Sequence, residues 1–263
     1  MSPAEEHLLV DSANLSIIFM GVGLLAGMIV RRYPNLVPST PAGRVSVASF
    51  DRIELGIAVG MIFFLYLVVR HPDPLRPLSN SIFLALGLSS YFVSRNCDLM
   101  ELFGLHFGNW RRLAWQAAAA TVVITVLTMW IHQGWMQWLT HLVGEPDLQE
   151  KVKELLETKD WSLRIGFFFS ACVLAPVSEE MVFRGFLYPA LKRFSHPFVA
   201  ATVVAGMFAV IHLSLSALLP LFILALLLTL AYEWSGSLAV PILVHAGFNL
   251  TNVIITLCTN HGV

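Results

Sequence analysis

The chain has 263 residues, 57% of them hydrophobic and 13% charged, with a formal net charge of −1 and a mean hydropathy of +0.73. Soluble domains carry about 25% charged residues, so this composition excludes an ordinary soluble enzyme and implies an all-α, polytopic membrane protein. No basic block offers a hold for nucleic acid, and Cys97, Cys172 and Cys258 lie too far apart for a disulfide framework or a thiolate metal site.

Apolar runs of about 17–25 residues predict membrane-spanning helices. They fall near 13–30, 53–69, 79–95, 112–132, 161–188, 197–213, 215–233 and 238–257, giving a helical bundle of about eight spans. The first follows the acidic residues Glu5, Glu6 and Asp11, whereas a signal peptide needs a positive start, so it reads as a first span. The third, from Ser79 to Arg95, is short and serine-rich. Very short turns join the last three: Ser214 and Ser216 mark one, Ser235-Gly236-Ser237 the other. Trp110, Trp115, Trp130, Trp135, Trp138, Trp161 and Trp234 all fall at or beside a span end, where the amphipathic indole is favoured.

With the N-terminus outside, cytoplasmic loops hold Arg31, Arg32, Arg44, Arg52, Arg95, Arg111, Arg112, Lys192 and Arg193. The opposite loops hold Arg70, Arg76, Lys151, Lys153 and Lys159. Nine against five favours that orientation. The long polar connector, 133–160, contains Asp147 followed by Glu150 as a capping box, with Leu148, Val152 and Leu155 at helical spacing. It predicts a short amphipathic helix on the outer surface. The chain thus divides into N-terminal membrane helices (1–132), this connector (133–160) and a C-terminal membrane core (161–263).

Ionisable groups inside lipid are costly and usually functional, so depth filters the candidates. Seven of the nine histidines fall in loops or at span edges, and only His212 and His245 lie within apolar sequence; of the seventeen acids, only Glu179 and Glu180 do. Glu179 and His212 are equidistant along the chain from the turn at Ser195 and His196. In a helical hairpin both then lie about 25 Å from that turn. Asn249 follows His245 by four residues, His212 follows Phe208 by four and Arg184 follows Glu180 by four, each pair sharing one helix face. A carboxylate, two imidazoles and a carboxamide suit water activation. Glu179 would act as general base with His212 assisting, while His245 and Asn249 donate hydrogen bonds to a developing oxyanion. Glu180 would form a structural ion pair with Arg184, leaving Glu179 free. Phe208 reads as packing.

The ordered set Glu179-Glu180-x-x-x-Arg184, Phe208-x-x-x-His212 and His245-x-x-x-Asn249 resembles the three-motif signature of the CPBP family, which includes the CAAX prenyl endoproteases of the second type and relatives linked to bacteriocin self-immunity. The resemblance covers roughly Trp161 to Leu257. Ser237-Leu238 ahead of Pro241 adds to it, and no motif residue is missing. It implies a CAAX-protease-like C-terminal core and an intramembrane endopeptidase acting on membrane-associated proteins or peptides, prenylated in true CAAX processing. The family is often described as metalloprotease-like. Glu179, His212 and His245 would be the ligands if zinc were bound. The sequence has no HExxH, and Asn249 suits hydrogen bonding better than zinc ligation, so the expectation is metal-free chemistry with no cofactor and zinc as the alternative. Competing readings are a non-catalytic membrane scaffold or immunity factor, and a proton-coupled transporter; absence of repeated halves disfavours the transporter. The expected location is a multi-pass integral membrane protein, in the plasma (inner) membrane of a prokaryotic host.

Overall fold

In a computed structural model these apolar runs build helices; it describes residues 43–69, 76–105, 109–143, 161–212 and 214–260. Among the described residues the helices are α1 (Arg52–Val69), α2 (Arg76–Ser94), a short α3 (Leu99–Leu102), α4 (Trp110–Val143), a long interrupted α5 from Trp161 to Phe194, α6 (Pro197–Val210), α7 (Leu215–Ser235) and α8 (Ala239–Asn260). The remainder of those residues is turn and loop. The predicted span at 13–30 and the connector residues 144–160, with Asp147, Leu148, Glu150, Val152 and Leu155, lie outside them. Each of the other predicted spans contains a helix. Four helical stretches, Trp110–Leu142, Arg164–Phe194, Leu215–Ser235 and Ala239–Cys258, are long and apolar enough to cross a membrane, and Ile82–Ser94 and Pro197–Val210 are shorter apolar helices.

Local chemistry sets the helix ends. Asp51 accepts a hydrogen bond from the Ile53 amide at 2.7 Å, and Glu54 accepts one from the Asp51 amide at 2.7 Å, a reciprocal cap at the start of α1. Ser214 caps α7 through the Ala217 amide. Gly236 closes that helix in the left-handed region at φ 74°, its amide donating to the Tyr232 carbonyl at 2.7 Å. Gly104 also has a positive φ of 61°, and a Cβ there would stand 1.9 Å from the Gly236 carbonyl oxygen. That close approach lets the Leu238 amide donate to the Phe103 carbonyl at 2.9 Å, joining the loop after α3 to the α7–α8 turn.

One predicted boundary moves. The span expected to end at 132 continues to Val143, so residues 133–143 belong to α4 rather than to the polar connector. No proline interrupts this stretch, and its side chains have partners. Trp135 stacks on Trp138 with centroids 4.9 Å apart and donates its indole N–H to the Leu215 carbonyl at 2.9 Å, while Leu139 is buried. At 34 residues α4 is about 51 Å long, against a hydrocarbon core of about 30 Å.

The centre of the bundle is α5. It packs against α1, α2, α6 and α8, while α4 closes the outside by packing on α7 and α8. Every residue from Val182 to Ala190 is buried, the pattern of a helix surrounded by others. On α4, by contrast, Trp115, Val122, Val126 and Trp130 are exposed and form an apolar outer face suited to lipid.

Two carboxylates tie the helix ends on the basic face. Glu54 accepts from Tyr91 Oη at 2.7 Å and pairs with Arg95, fastening α1 to α2. Glu233, at the end of α7, accepts from the Arg44 amide (2.7 Å), the Val45 amide (3.2 Å) and Tyr188 Oη (2.7 Å), and pairs with Lys192. Depth along the sequence assigned neither role. Glu54 is fully buried although it stands in the first turn of its helix, and Lys192, expected in a loop, is buried as well. Arg164, absent from the loop tally, lies toward the opposite end of α5. Removing one partner of a buried pair costs about 3–5 kcal/mol because the other charge is stranded. Glu233→Ala is therefore expected to lower the melting temperature in detergent markedly, and to speed proteolysis between Gly43 and Val47.

Candidate active site

Helix α5 carries Glu179, Glu180 and Arg184, and two prolines decide its local geometry. A proline inside a helix has no N–H to give and its ring crowds the carbonyl four residues back. Here the helix widens instead of breaking. Segments Trp161–Phe169, Ala175–Val182 and Tyr188–Phe194 are α-helical, whereas Ser170–Leu174 and Phe183–Leu187 are π-helical. Each π segment ends two residues before a proline, Pro176 or Pro189, and the intervening residue donates five back: the Ala175 amide to Ser170, the Tyr188 amide to Phe183. Such π insertions concentrate at functional sites.

Between the two insertions, consecutive glutamates point about 100° apart around the helix. Glu180 turns inward and is fully buried, as is Arg184 one turn later. Arg184 donates through Nη1 to Glu180 Oε1 at 2.7 Å and through Nη2 to the Ala225 carbonyl on α7 at 3.0 Å. Its guanidinium also lies 4.8 Å from the centre of the Phe208 ring. The same Glu180 Oε1 is 2.9 Å from His245 Nδ1 on α8. A carboxylate paired with arginine only accepts, so Nδ1 carries the proton and His245 is oriented through its inner nitrogen.

The other imidazole nitrogen faces Glu179. Its Oε2 is 3.9 Å from His245 Nε2, and the Glu179 side chain keeps 15% of its surface exposed. His212 is not inside a membrane helix as its apolar surroundings suggested. Helix α6 ends at Val210, and His212 lies in the turn leading to α7, half-buried. Its Nδ1 is 2.7 Å from the Phe208 carbonyl and donates to it, so Nε2 is the nitrogen presented away from the backbone. Phe208 is the common neighbour. Its ring centre is 4.8 Å from that of His212, 5.7 Å from that of His245 and 5.3 Å from that of Phe183.

Asn249 sits one turn beyond His245, and its Nδ2 donates to the Ala171 carbonyl in the first π segment at 2.8 Å. The structure thus gathers Glu180, Arg184, His245 and Phe208 into one contact network, sets Glu179 against the outer side of His245 and ties Asn249 to α5. Three participants escaped sequence reasoning: the Ala225 and Ala171 carbonyls, which as backbone atoms leave no residue signature, and Phe208 as a shared platform. The four-residue spacing from Phe208 to His212 was the available signal for the last.

The donor types suit zinc: His212 and His245 both offer Nε2 with Nδ1 held by a fixed acceptor, the usual outer-shell arrangement of a ligating histidine. Among the described residues, however, no three His, Cys, Asp or Glu side chains gather as a ligand set.

Residues 161–251 match the sequence profile of the family described as type II CAAX prenyl endopeptidase Rce1-like. Among curated proteins, the membrane-embedded CAAX protease MroQ of Staphylococcus aureus (strain USA300) is 35% identical over 85 residues, covering 30% of this chain and 34% of the relative. The chain therefore matches about a third of that relative's length. No solved structure matches the chain significantly.

The Arg184 fork supports a stability prediction. A lysine at 184 offers one ammonium where the guanidinium spans Glu180 and Ala225, so Arg184→Lys is expected to lose a large part of the stabilisation. Arg184→Met, which strands a buried carboxylate, should cost about 3–5 kcal/mol. Denaturant or thermal unfolding in detergent measures both, with Met expected to be the worse.

Proposed function

We propose, for a chain whose residues 161–251 match the Rce1-like type II CAAX prenyl endopeptidase profile, intramembrane endopeptidase activity with Glu179, His212 and His245 carrying the reaction. The observation that carries this reading is the two-sided contact of His245: a buried, arginine-paired carboxylate 2.9 Å from Nδ1 and a second, partly exposed carboxylate 3.9 Å from Nε2. A purely structural histidine in lipid needs one partner, not two carboxylates on opposite nitrogens.

In the proposed reaction Glu179 takes a proton from water as the water oxygen bonds to the scissile carbonyl carbon. His212 accepts a hydrogen bond from that water through Nε2, its ring being fixed by the Phe208 carbonyl. In its imidazolium form His245, with Nδ1–H held by Glu180, donates Nε2–H to the oxyanion. The C–N bond then breaks, and the amine leaves with the proton returned from Glu179. Glu180 and Arg184 stay outside the proton traffic and hold His245 in place. The substrate is a membrane-associated protein or peptide. Prenylated C-terminal peptides are the substrate class that the family resemblance favours, and a prokaryotic host would place the enzyme in its plasma membrane.

Purified protein incubated with membrane-tethered peptides, with and without a prenyl group, tests the reading. Glu179→Gln is expected to reduce cleavage by at least about 100-fold, the low end of general acid–base contributions, with an unchanged melting temperature. Retained biological protection by that variant without any cleavage by the wild type would favour a scaffold or immunity factor. Cleavage lost to a chelator and restored by zinc would replace the metal-free scheme with one in which Glu179, His212 and His245 are ligands.

A further inference from the structure

Helix α6 ends at Val210, two residues short of His212, so the helix itself does not orient that imidazole. Two parts of Phe208 do. Its carbonyl lies 2.7 Å from His212 Nδ1, and its ring centre lies 4.8 Å from that of the imidazole, with the planes 46° apart. A hydrogen bond alone leaves a ring free to swing about the line joining the two atoms; a second contact on its flank removes that freedom. The same phenyl ring reaches His245 on α8, with centres 5.7 Å apart and planes at 70°, an edge-to-face arrangement. One side chain thus touches two imidazoles that come from different elements.

The phenyl ring is held in turn by the buried charge. Phe208 is fully buried, the Arg184 guanidinium carbon stands 4.8 Å from its centre, and Phe183 abuts it at 5.3 Å with planes 82° apart. A cation over a ring is attracted to its negative face, the more strongly where water is excluded. Arg184 is itself pinned by Glu180 and the Ala225 carbonyl, so the ring has a fixed seat. A leucine there would keep the site apolar, but it would offer neither a negative face to the guanidinium nor a flat flank to the imidazoles.

We infer that Phe208 is a positioning residue: its ring, seated against the Arg184 guanidinium, fixes the mutual placement of His212 and His245. The buried ion pair that orients His245 through Nδ1 thereby also governs His212, in the turn beyond α6. The effect on cleavage rests on the peptidase reading above; the effect on the two imidazoles does not.

The test compares Phe208→Leu with Phe186→Leu. Phe186 is also fully buried, but its ring packs on Phe50 and Phe92, so it reports the general cost of removing a core ring. Both substitutions should lower the melting temperature in detergent. Only Phe208→Leu should lower kcat by about 10-fold or more, with KM changed less than about threefold. Only Phe208→Leu, in protein labelled with ¹⁵N at histidine, should displace the ring-nitrogen resonances of both His212 and His245. Equal losses of kcat in the two variants would reduce Phe208 to core packing and overturn the assignment. So would wild-type resonances in Phe208→Leu, or a displacement confined to one histidine. Should Phe208→Leu fail to fold, a fluorinated phenylalanine at 208 keeps the outline of the ring while weakening its negative face. The proposal then requires both histidine resonances to move, and wild-type resonances refute it. These are read without substrate. A wild type that cleaves nothing would sink the peptidase reading, whereas the placement of the two imidazoles would still be decided by the resonances.

Discussion

A guanidinium enclosed on every side in the middle of a membrane bundle is the constraint around which the C-terminal half is arranged. Arg184 is fully buried, and desolvating an ion costs several kcal/mol unless partners surround it. Those partners come from its own helix and two others: Glu180 one turn back on α5, the Ala225 carbonyl on α7 and the Phe208 ring on α6. Because Glu180 Oε1 also holds His245, α8 joins the same centre. One charge thus fixes the mutual positions of four helices, and everything proposed about the reaction uses side chains on those helices or in the turn after α6.

The second ingredient is the way α5 absorbs its prolines. An uninterrupted α-helix from Trp161 to Phe194 could not include Pro176 and Pro189 without losing bonds. The switch to π geometry ahead of each proline keeps the helix continuous while changing its angular register on either side of the two glutamates. The short α segment between them therefore sets its own orientation. Adjacent glutamates, about 100° apart, become two different reagents there: one sealed against arginine, the other near the outer nitrogen of the same imidazole and partly open.

Much of this was legible in the sequence, for physical reasons. Long apolar runs with tryptophan at their ends leave few alternatives to membrane helices, so the long helices α1, α2 and α4 to α8 emerged in order, although the short α3 was not foreseen and α4 was ended eleven residues early. Charged and imidazole side chains within such runs were conspicuous because they are costly there, which made Glu179, Glu180, Arg184, His212 and His245 stand out. Partners supplied by the backbone could not stand out. Nothing in the letters at 171 or 225 says that those carbonyls accept from Asn249 and Arg184. Distance from the end of an apolar run also proved a poor measure of burial: Glu54 and Glu233 lie near helix ends but are covered by neighbouring elements, as Tyr91, Arg95, Lys192 and the 43–47 segment fold over them. The long α4 was under-read because the tryptophans at 135 and 138 signalled a membrane boundary, while their stacking and the bond to Leu215 instead extend the helix past it.

These polar clusters on the basic face complete the logic of the central one. A site inside a bilayer must be polar, and helices lining it gain little hydrophobic attraction from one another, because lipid is as apolar as they are. Something else has to hold them in register. Glu54 and Glu233 do so at one end, binding α1 to α2 and α5 to α7 together with the segment before α1, while Arg184 does so at mid-depth. The carboxylate proposed to react then needs no structural duty of its own. Of the two adjacent glutamates, Glu179 can stay clear of a hydrogen-bonded pair with a permanent cation, because Glu180, Glu54 and Glu233 carry that burden.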